Sequence, residues 1–256
     1  MYGTEGKVGQ ALTSWMASSG TAREQMFVTS KVWRGMSDVH GACKASLERL
    51  QLEYLDLYLI HTPVTFMSWV EEKDRDAAQR ELWAAMESLV EQGLAKAIGV
   101  SNFSAEELAT LLTYAKIKPA VNQVEHHPFC QAGTGRDGSR LRDLCSSHGI
   151  ILEAYSPLAP LKDTSSGLLQ LTESLAAAKG VGAPQILLRW GLDHGAAVVT
   201  TSTKCERIQG MSACFDEACT LTTDELAAMD AEGMVKRYRG YWGEEFGDCY
   251  EEEGKL

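Results

Sequence analysis

Six short apolar runs in this 256-residue chain each end in side chains that can bind or exchange a proton or grip an amide. They close on Lys31, on His61, on Ser101 with Asn102, on Gln123 with Glu125, on Tyr155 with Ser156, and on Thr201 with Ser202. Lysine, histidine and tyrosine are side chains of general acid–base catalysis. Taken singly, each has an ordinary explanation. Lys31 reads as a solvated residue at a strand end, His61 as a satisfied structural histidine before a proline-containing loop, and Tyr155 as a packing residue at a rim. Six polar ends in series argue against coincidence without naming a reaction.

What would gather residues so far apart in sequence is a regular alternation of helices and strands. Val8, Ala11, Leu12, Trp15 and Met16 share one helical face and precede the strand-like run Met26 to Lys31. Val39, Cys43, Leu47 and Leu50 form the next stripe, followed by the run Tyr54 to His61. Leu82, Trp83, Met86, Leu89 and Val90 come before Ala97 to Ser101. Ser104 with Glu107 is a capping-box signature ahead of Leu108, Leu111 and Leu112, and Pro119 ends that helix before the run Ala120 to Glu125. Leu141, Leu144 and Cys145 lead to Gly149 and the run Ile150 to Tyr155. A helix through Leu168, Leu171 and Leu175 follows. Another, with Pro184 in its first turn, carries Ile186, Leu187 and Trp190 before the run Ala196 to Thr200. Six strand-like runs, each preceded by a helix, predict an α/β fold with parallel strands, either an open doubly wound sheet or a (β/α)8 barrel. In a barrel all these strand ends face one rim, where active sites are built, and the typical length of ~250 residues favours it. Six strands are two too few to close one, and the first helical pattern begins after three residues with no strand before it.

Composition narrows the class. Hydrophobic residues make up 45% and charged residues 23%, with a net charge of -11. An acidic chain repels polyphosphate at long range, which argues against nucleic acid or an anionic membrane as partner and leaves room for a small anionic cofactor. No apolar stretch approaches the ~20 residues that span a bilayer, and no signal peptide is visible. Seven scattered cysteines without a CxxC pair read as reduced thiols, so a cytoplasmic protein is expected. His126 and His127, read as neighbours on a strand, would face opposite sides and make a poor metal site. The acidic stretch Glu244 to Glu253 reads as a solvated terminus.

The ordered set of motifs resembles the aldo-keto reductase family. The segments are Tyr2-Gly3-Thr4-Glu5 with Val8-Gly9, Phe27 to Trp33, Tyr54 to His61, Ala97 to Phe103, Val121 to Glu125, Ala154 to Leu158, and Ser202 with Arg207-Ile208. They cover residue 2 to about residue 230. The resemblance implies reduction of a small aldehyde or ketone with hydride from NADPH, or the reverse oxidation. By match to the family, Tyr2 is the proton donor, Lys31 the cation that lowers its pKa, and His61 the residue that orients or polarises the carbonyl. Ser101, Asn102 and Gln123 match the side chains that hold the nicotinamide carboxamide, and Tyr155 matches the aromatic that stacks on the ring. Ser156 and Leu158 match the loop near the pyrophosphate, and Ser202 and Arg207 the grip on the adenosine phosphate. No metal is implied. A C-terminal loop covers the substrate pocket in the family, which makes Tyr241, Trp242 and Phe246 candidates for its lining, ranked below simple surface packing.

Departures from the family set further expectations. Met1 stands directly before Tyr2, without the aspartate that pairs with the lysine and without the first two barrel strands and the helix between them. The expected fold is therefore a (β/α)8 barrel lacking those elements, a single domain over 1–256 with a C-terminal tail from about 231. Such a chain is expected to be poorly stable, and weak or inactive as an enzyme. Thr201 replaces a lysine that usually contacts the 2′-phosphate, so NADH is a second candidate cofactor, and Gly210-Met211 replaces an acid–amide pair at the adenine. Thr62 replaces an aromatic beside the histidine and leaves substrate choice open. The alternative function is a nicotinamide-cofactor-binding regulatory subunit, or a remnant, without turnover.

Overall fold

The protein, a computed structural model, is described over residues 3–33, 35–68, 70–131, 138–236 and 238–242. Two compact units divide it, residues 1–122 and 123–256.

The first unit opens with helix α1 (Glu5–Ser19), then strand β1 (Thr29–Val32), α2 (Val39–Leu50), β2 (Leu55–Ile60), α3 (Arg75–Glu91), β3 (Ala95–Ser101) and α4 (Ala105–Leu112). Strand β4 (Val121–Glu125) begins on its last two residues. β1 and β3 flank β2, both pairings parallel, with Lys31 opposite Leu59 and Ile60 opposite Val100. All six residues of β2 are buried, as expected for a strand covered on both faces. Gly9 lets α1 lie on α2: a Cβ there would stand 2.6 Å from the Arg49 and Leu50 carbonyl oxygens. The capping box expected at Ser104 and Glu107 is formed, with the Ser104 N–H donating to the Glu107 carboxylate at 2.8 Å and the Glu107 N–H donating to the Ser104 hydroxyl at 3.2 Å.

Opposite the candidate catalytic ends of the strands, Asp56 ties the beginnings of β2 and β3 to the entry of β1. It accepts from Arg23 at 2.8 Å, Lys96 at 3.2 Å and the Val28 N–H at 2.9 Å. Burial would raise its carboxyl pKa, but these donors outweigh burial and hold it low. The strand read from Met26 to Lys31 starts three residues late. The Met26 N–H and carbonyl are bonded to Arg23 and the Val28 N–H to the Asp56 side chain, so only the Val28 carbonyl, which accepts the Asp56 and Leu57 N–H groups, reaches the β2 backbone, and Phe27 is exposed.

The second unit carries the rest of β4, then α5 (Gly138–His148), β5 (Ile151–Tyr155), α6 (Gly167–Lys179), α7 (Ala183–Asp193), β6 (Ala197–Val198), α8 (Cys205–Met211) and α9 (Thr223–Val235). β5 and β6 are parallel neighbours. A core of Leu168, Ile186, Leu187, Trp190, Leu221 and Met229 joins α6, α7 and α9. The run read from Ala196 to Thr200 is a strand over two residues only, because the Ala196 N–H turns back to Gly191. His126 and His127 are not strand residues: β4 ends at Glu125, and His127 exchanges backbone bonds with Cys130 in a tight reversal around Pro128. The fold class is α/β, and the strand–helix alternation is that of a (β/α)8 barrel with six strands among the described residues. No helix among them is long and apolar enough to cross a membrane.

Candidate active site

In the first unit the parallel register carries chemistry to one set of strand ends. Lys31 lies one residue before the end of β1, and the His61 N–H, just past β2, donates to the Val32 carbonyl at 3.0 Å. Lys31 is opposite Leu59, two residues before His61, so the two residues lie on the same face of neighbouring strands, close to their ends. The His61 ring is buried, and burial, followed by the Lys31 ammonium, pushes its pKa from 6.5 down to about 4. At neutral pH the ring is an uncharged imidazole that can donate one hydrogen bond. Trp33 packs edge-on against it, with centroids 4.9 Å apart.

Ser101 ends β3 and Asn102 follows in the left-handed region, φ 61°. That conformation costs energy and concentrates at functional positions. The Asn102 amide nitrogen donates to the His61 carbonyl at 2.9 Å and to the Ser101 hydroxyl at 3.2 Å. An amide and a hydroxyl are thereby fixed beside the histidine. Thr62 is also fully buried, with no hydrogen-bond partner for its hydroxyl among the described residues. The loop behind it is tied to α3 and α4: the Val64 N–H donates to Gln79 at 2.9 Å, and the Thr65 hydroxyl is bonded to Glu107.

In the second unit Gln123 is buried in β4 and its amide donates to Glu153. Tyr155 ends β5, half-buried, and burial raises its phenol pKa, with Glu125 adding to the shift. Ser156 follows with φ 54°, again left-handed, and its carbonyl accepts the Ala159 N–H at 3.0 Å, so the chain turns sharply past Leu158. After β6, the Ser202 hydroxyl accepts the Lys204 N–H at 3.1 Å, while Lys204 and Arg207 are exposed cations at the start of α8.

The structure thus brings Lys31, His61, Ser101 and Asn102 together within one unit. It sets Gln123, Tyr155, Ser156 and Leu158 at the ends of β4 and β5, with Ser202 and Arg207 after β6. Tyr2 lies outside the described residues, as do Phe246 and the acidic stretch from Glu244. Trp33 was missed as a site residue, although its place two residues beyond Lys31 at the same strand end was a usable signal.

Each unit carries donors of the kinds a nicotinamide dinucleotide needs. The first offers an oriented hydroxyl and amide at Ser101 and Asn102, and the second an aromatic face at Tyr155, a close backbone approach at the Ser156 turn, and the cations Lys204 and Arg207 for phosphate. Among the described residues no cluster of metal ligands occurs.

The family model described as "Aldo/keto reductase family" matches residues 1–232. A glyoxal reductase of Bacillus subtilis is 40% identical over 222 residues, covering 86% of this chain and 72% of that protein. An NAD/NADP-dependent indole-3-acetaldehyde reductase of Schizosaccharomyces pombe is 37% identical over 243 residues, covering 94% and 80%. Among solved structures, a Bombyx mori aldo-keto reductase in complex with NADP superposes with a TM-score of 0.75 at 32% identity, over 89% of this chain and 74% of the other.

Proposed function

The chain belongs to the aldo/keto reductase family, and from that premise we propose that it reduces an aldehyde to an alcohol using NADPH. The observation that carries this reading is the placement of Lys31 and His61 near the ends of adjacent strands, with the Lys31 ammonium and burial keeping the His61 ring neutral. When bound, the cofactor supplies hydride to the carbonyl carbon. His61 donates a hydrogen bond to the carbonyl oxygen and so favours the charge that develops there. Tyr2 gives that oxygen its proton. Lys31 stabilises the phenolate left behind, which also lets the residue work in the oxidative direction.

Ser101, Asn102 and Gln123 hold the carboxamide, Tyr155 carries the ring, Ser156 and Leu158 flank the pyrophosphate, and Ser202 with Arg207 grips the adenosine phosphate. Lys204 adds charge there. Thr201 brings none to the 2′-phosphate, so NADH is accepted with a modest disadvantage. The substrate class follows two relatives whose names specify glyoxal and indole-3-acetaldehyde.

The test is loss of NADPH absorbance with a panel of aldehydes. Lys31→Met and Tyr2→Phe should each lower kcat by about 10²–10⁴-fold, the usual worth of a positioned proton donor. Binding of NADPH without oxidation by any aldehyde would leave the non-catalytic reading in place of this one.

A further inference from the structure

Gln123 and Glu153 meet across β4 and β5, neighbouring strands whose residues from Gln123 onward lie in the second unit. The Gln123 amide nitrogen donates to Glu153 Oε2. A glutamine amide presents its N–H2 or its oxygen with nearly the same shape, whereas an ionised carboxylate can only accept. The bond therefore fixes which arm of the Gln123 amide is nitrogen and which is oxygen. Glu153 is the single charged residue of β5, which reads Ile-Leu-Glu-Ala-Tyr, and glutamate is depleted in strands. Opposite it on β6 stands Ala197, whose methyl competes for no hydrogen bond. Glu153 and Tyr155 are two residues apart and share one face of β5, so Gln123 is turned to the face on which Tyr155 stands. The other acid on that face of β4, Glu125, is committed elsewhere. It is fully buried and accepts from His127 Nε2 at 3.0 Å, from the Gly240 N–H at 2.8 Å and from the Tyr241 N–H at 3.1 Å. The acid that orients Gln123 is Glu153.

We infer that Glu153 is a positioning residue for the nicotinamide: by taking an N–H of the Gln123 amide, it presents the Gln123 oxygen, and not the nitrogen, to the N–H2 of the cofactor's carboxamide. The inference rests on the reductase reading, in which Gln123 holds the carboxamide and Tyr155 carries the ring. Held this way, the amide gives the carboxamide N–H2 an acceptor. Turned over, it would set two N–H2 groups against each other and leave a donor unpaired, the costly outcome for a group withdrawn from water.

The experiment measures dissociation constants by titration calorimetry for the full chain as wild type, Glu153→Gln and Glu153→Ala. Three ligands are compared: NADPH; its reduced 3-acetylpyridine analogue, in which a methyl replaces the carboxamide N–H2; and 2′-phospho-ADP-ribose, which lacks the nicotinamide. Wild type should bind NADPH about five- to tenfold more tightly than the analogue, the net worth of one hydrogen bond. A glutamine at position 153 can donate as well as accept, and an alanine can do neither, so both variants release the Gln123 amide to turn over. In both, the preference should fall to about twofold or less through weaker binding of NADPH, with the analogue and 2′-phospho-ADP-ribose within about twofold of wild type. A merely structural acid, holding β4 against β5, would weaken NADPH and the analogue alike and leave the preference intact. If Glu153→Gln does not fold, Glu153→Ala at this partly exposed position must still show the loss, or the inference falls. A preference kept in a folded variant, or 2′-phospho-ADP-ribose weakened in step with NADPH, overturns the inference alone. A wild type that binds NADPH and the analogue equally overturns the carboxamide role of Gln123 and this inference with it, and a wild type that binds none of the three overturns the reductase reading as well.

Discussion

His61 has a pKa of about 4 because its ring is buried, and because the Lys31 ammonium opposes a second positive charge nearby. The unfolded chain takes up a proton near pH 6.5 that the folded ring refuses. Stability is therefore untouched by this group above pH 6.5, and falls as pH drops from 6.5 towards 4. Comparing urea melts of wild type and His61→Gln should show a difference in that window on the order of 2 kcal/mol. A flat difference from pH 7 to pH 4 would mean that the ring is not held neutral. Lys31 and His61 were legible in the sequence because each closes an apolar run, and a strand end fixes where its side chain goes. Glu125 closed a run too, but its partners lie far along the chain, and no local pattern separates a buried acid from a solvated one. Asn102 and Ser156 were placed by resemblance, and their left-handed backbone became visible only with the dihedral angles.

The elements follow from simple periodicities. Helices α1 to α7 and strands β2 to β5 lie close to where apolar spacing put them, since long stripes and fully buried runs are strong signals. The weaker readings failed where side chains or turns claimed the backbone: Asp56 and Arg23 ahead of β1, the Gly191 contact ahead of β6, and the reversal after Glu125. Helix α9 was missed although Thr222 and Glu225 form a capping box at its start. Its buried face includes Gly233, whose added Cβ would stand 2.1 Å from the Pro128 carbonyl oxygen, so a glycine sits where an apolar stripe would be sought. Strand β3 depends on the same device. A Cβ on Gly99 would stand 2.6 Å from the Val121 carbonyl oxygen and 2.7 Å from Leu59. Gly99→Ala should therefore lower stability by roughly 2–3 kcal/mol through overpacking. It should also reduce activity, because Ser101 is two residues further along β3. A thermal midpoint within about 1 °C of wild type would contradict this, given that 1 kcal/mol moves a domain of this size by about 2–4 °C.

At the scale of the molecule, the family match over residues 1–232 runs through both compact units. A net charge of -11 repels an anionic cofactor at a distance, so affinity must come from local contacts such as Arg207 and Lys204. NADPH at one hundred times its dissociation constant should stabilise the folded chain by about 2.7 kcal/mol. That corresponds to a rise in Tm of about 5–10 °C. At equal concentration NADH should give a smaller rise, and scanning fluorimetry reads both. No shift with either would remove the cofactor reading. The α/β class was legible from the alternation of helices with six strand-like runs. The division at residue 122 was not, because it falls inside β4, where no glycine- or proline-rich linker marks it.

The three donors around Glu125 also constrain the order in which the chain can mature. During synthesis the end of β4 emerges more than a hundred residues before Gly240 and Tyr241, and until they arrive its carboxylate has only His127. The two backbone bonds that close this strand end therefore form only after residues 240 and 241 have been made, late in synthesis.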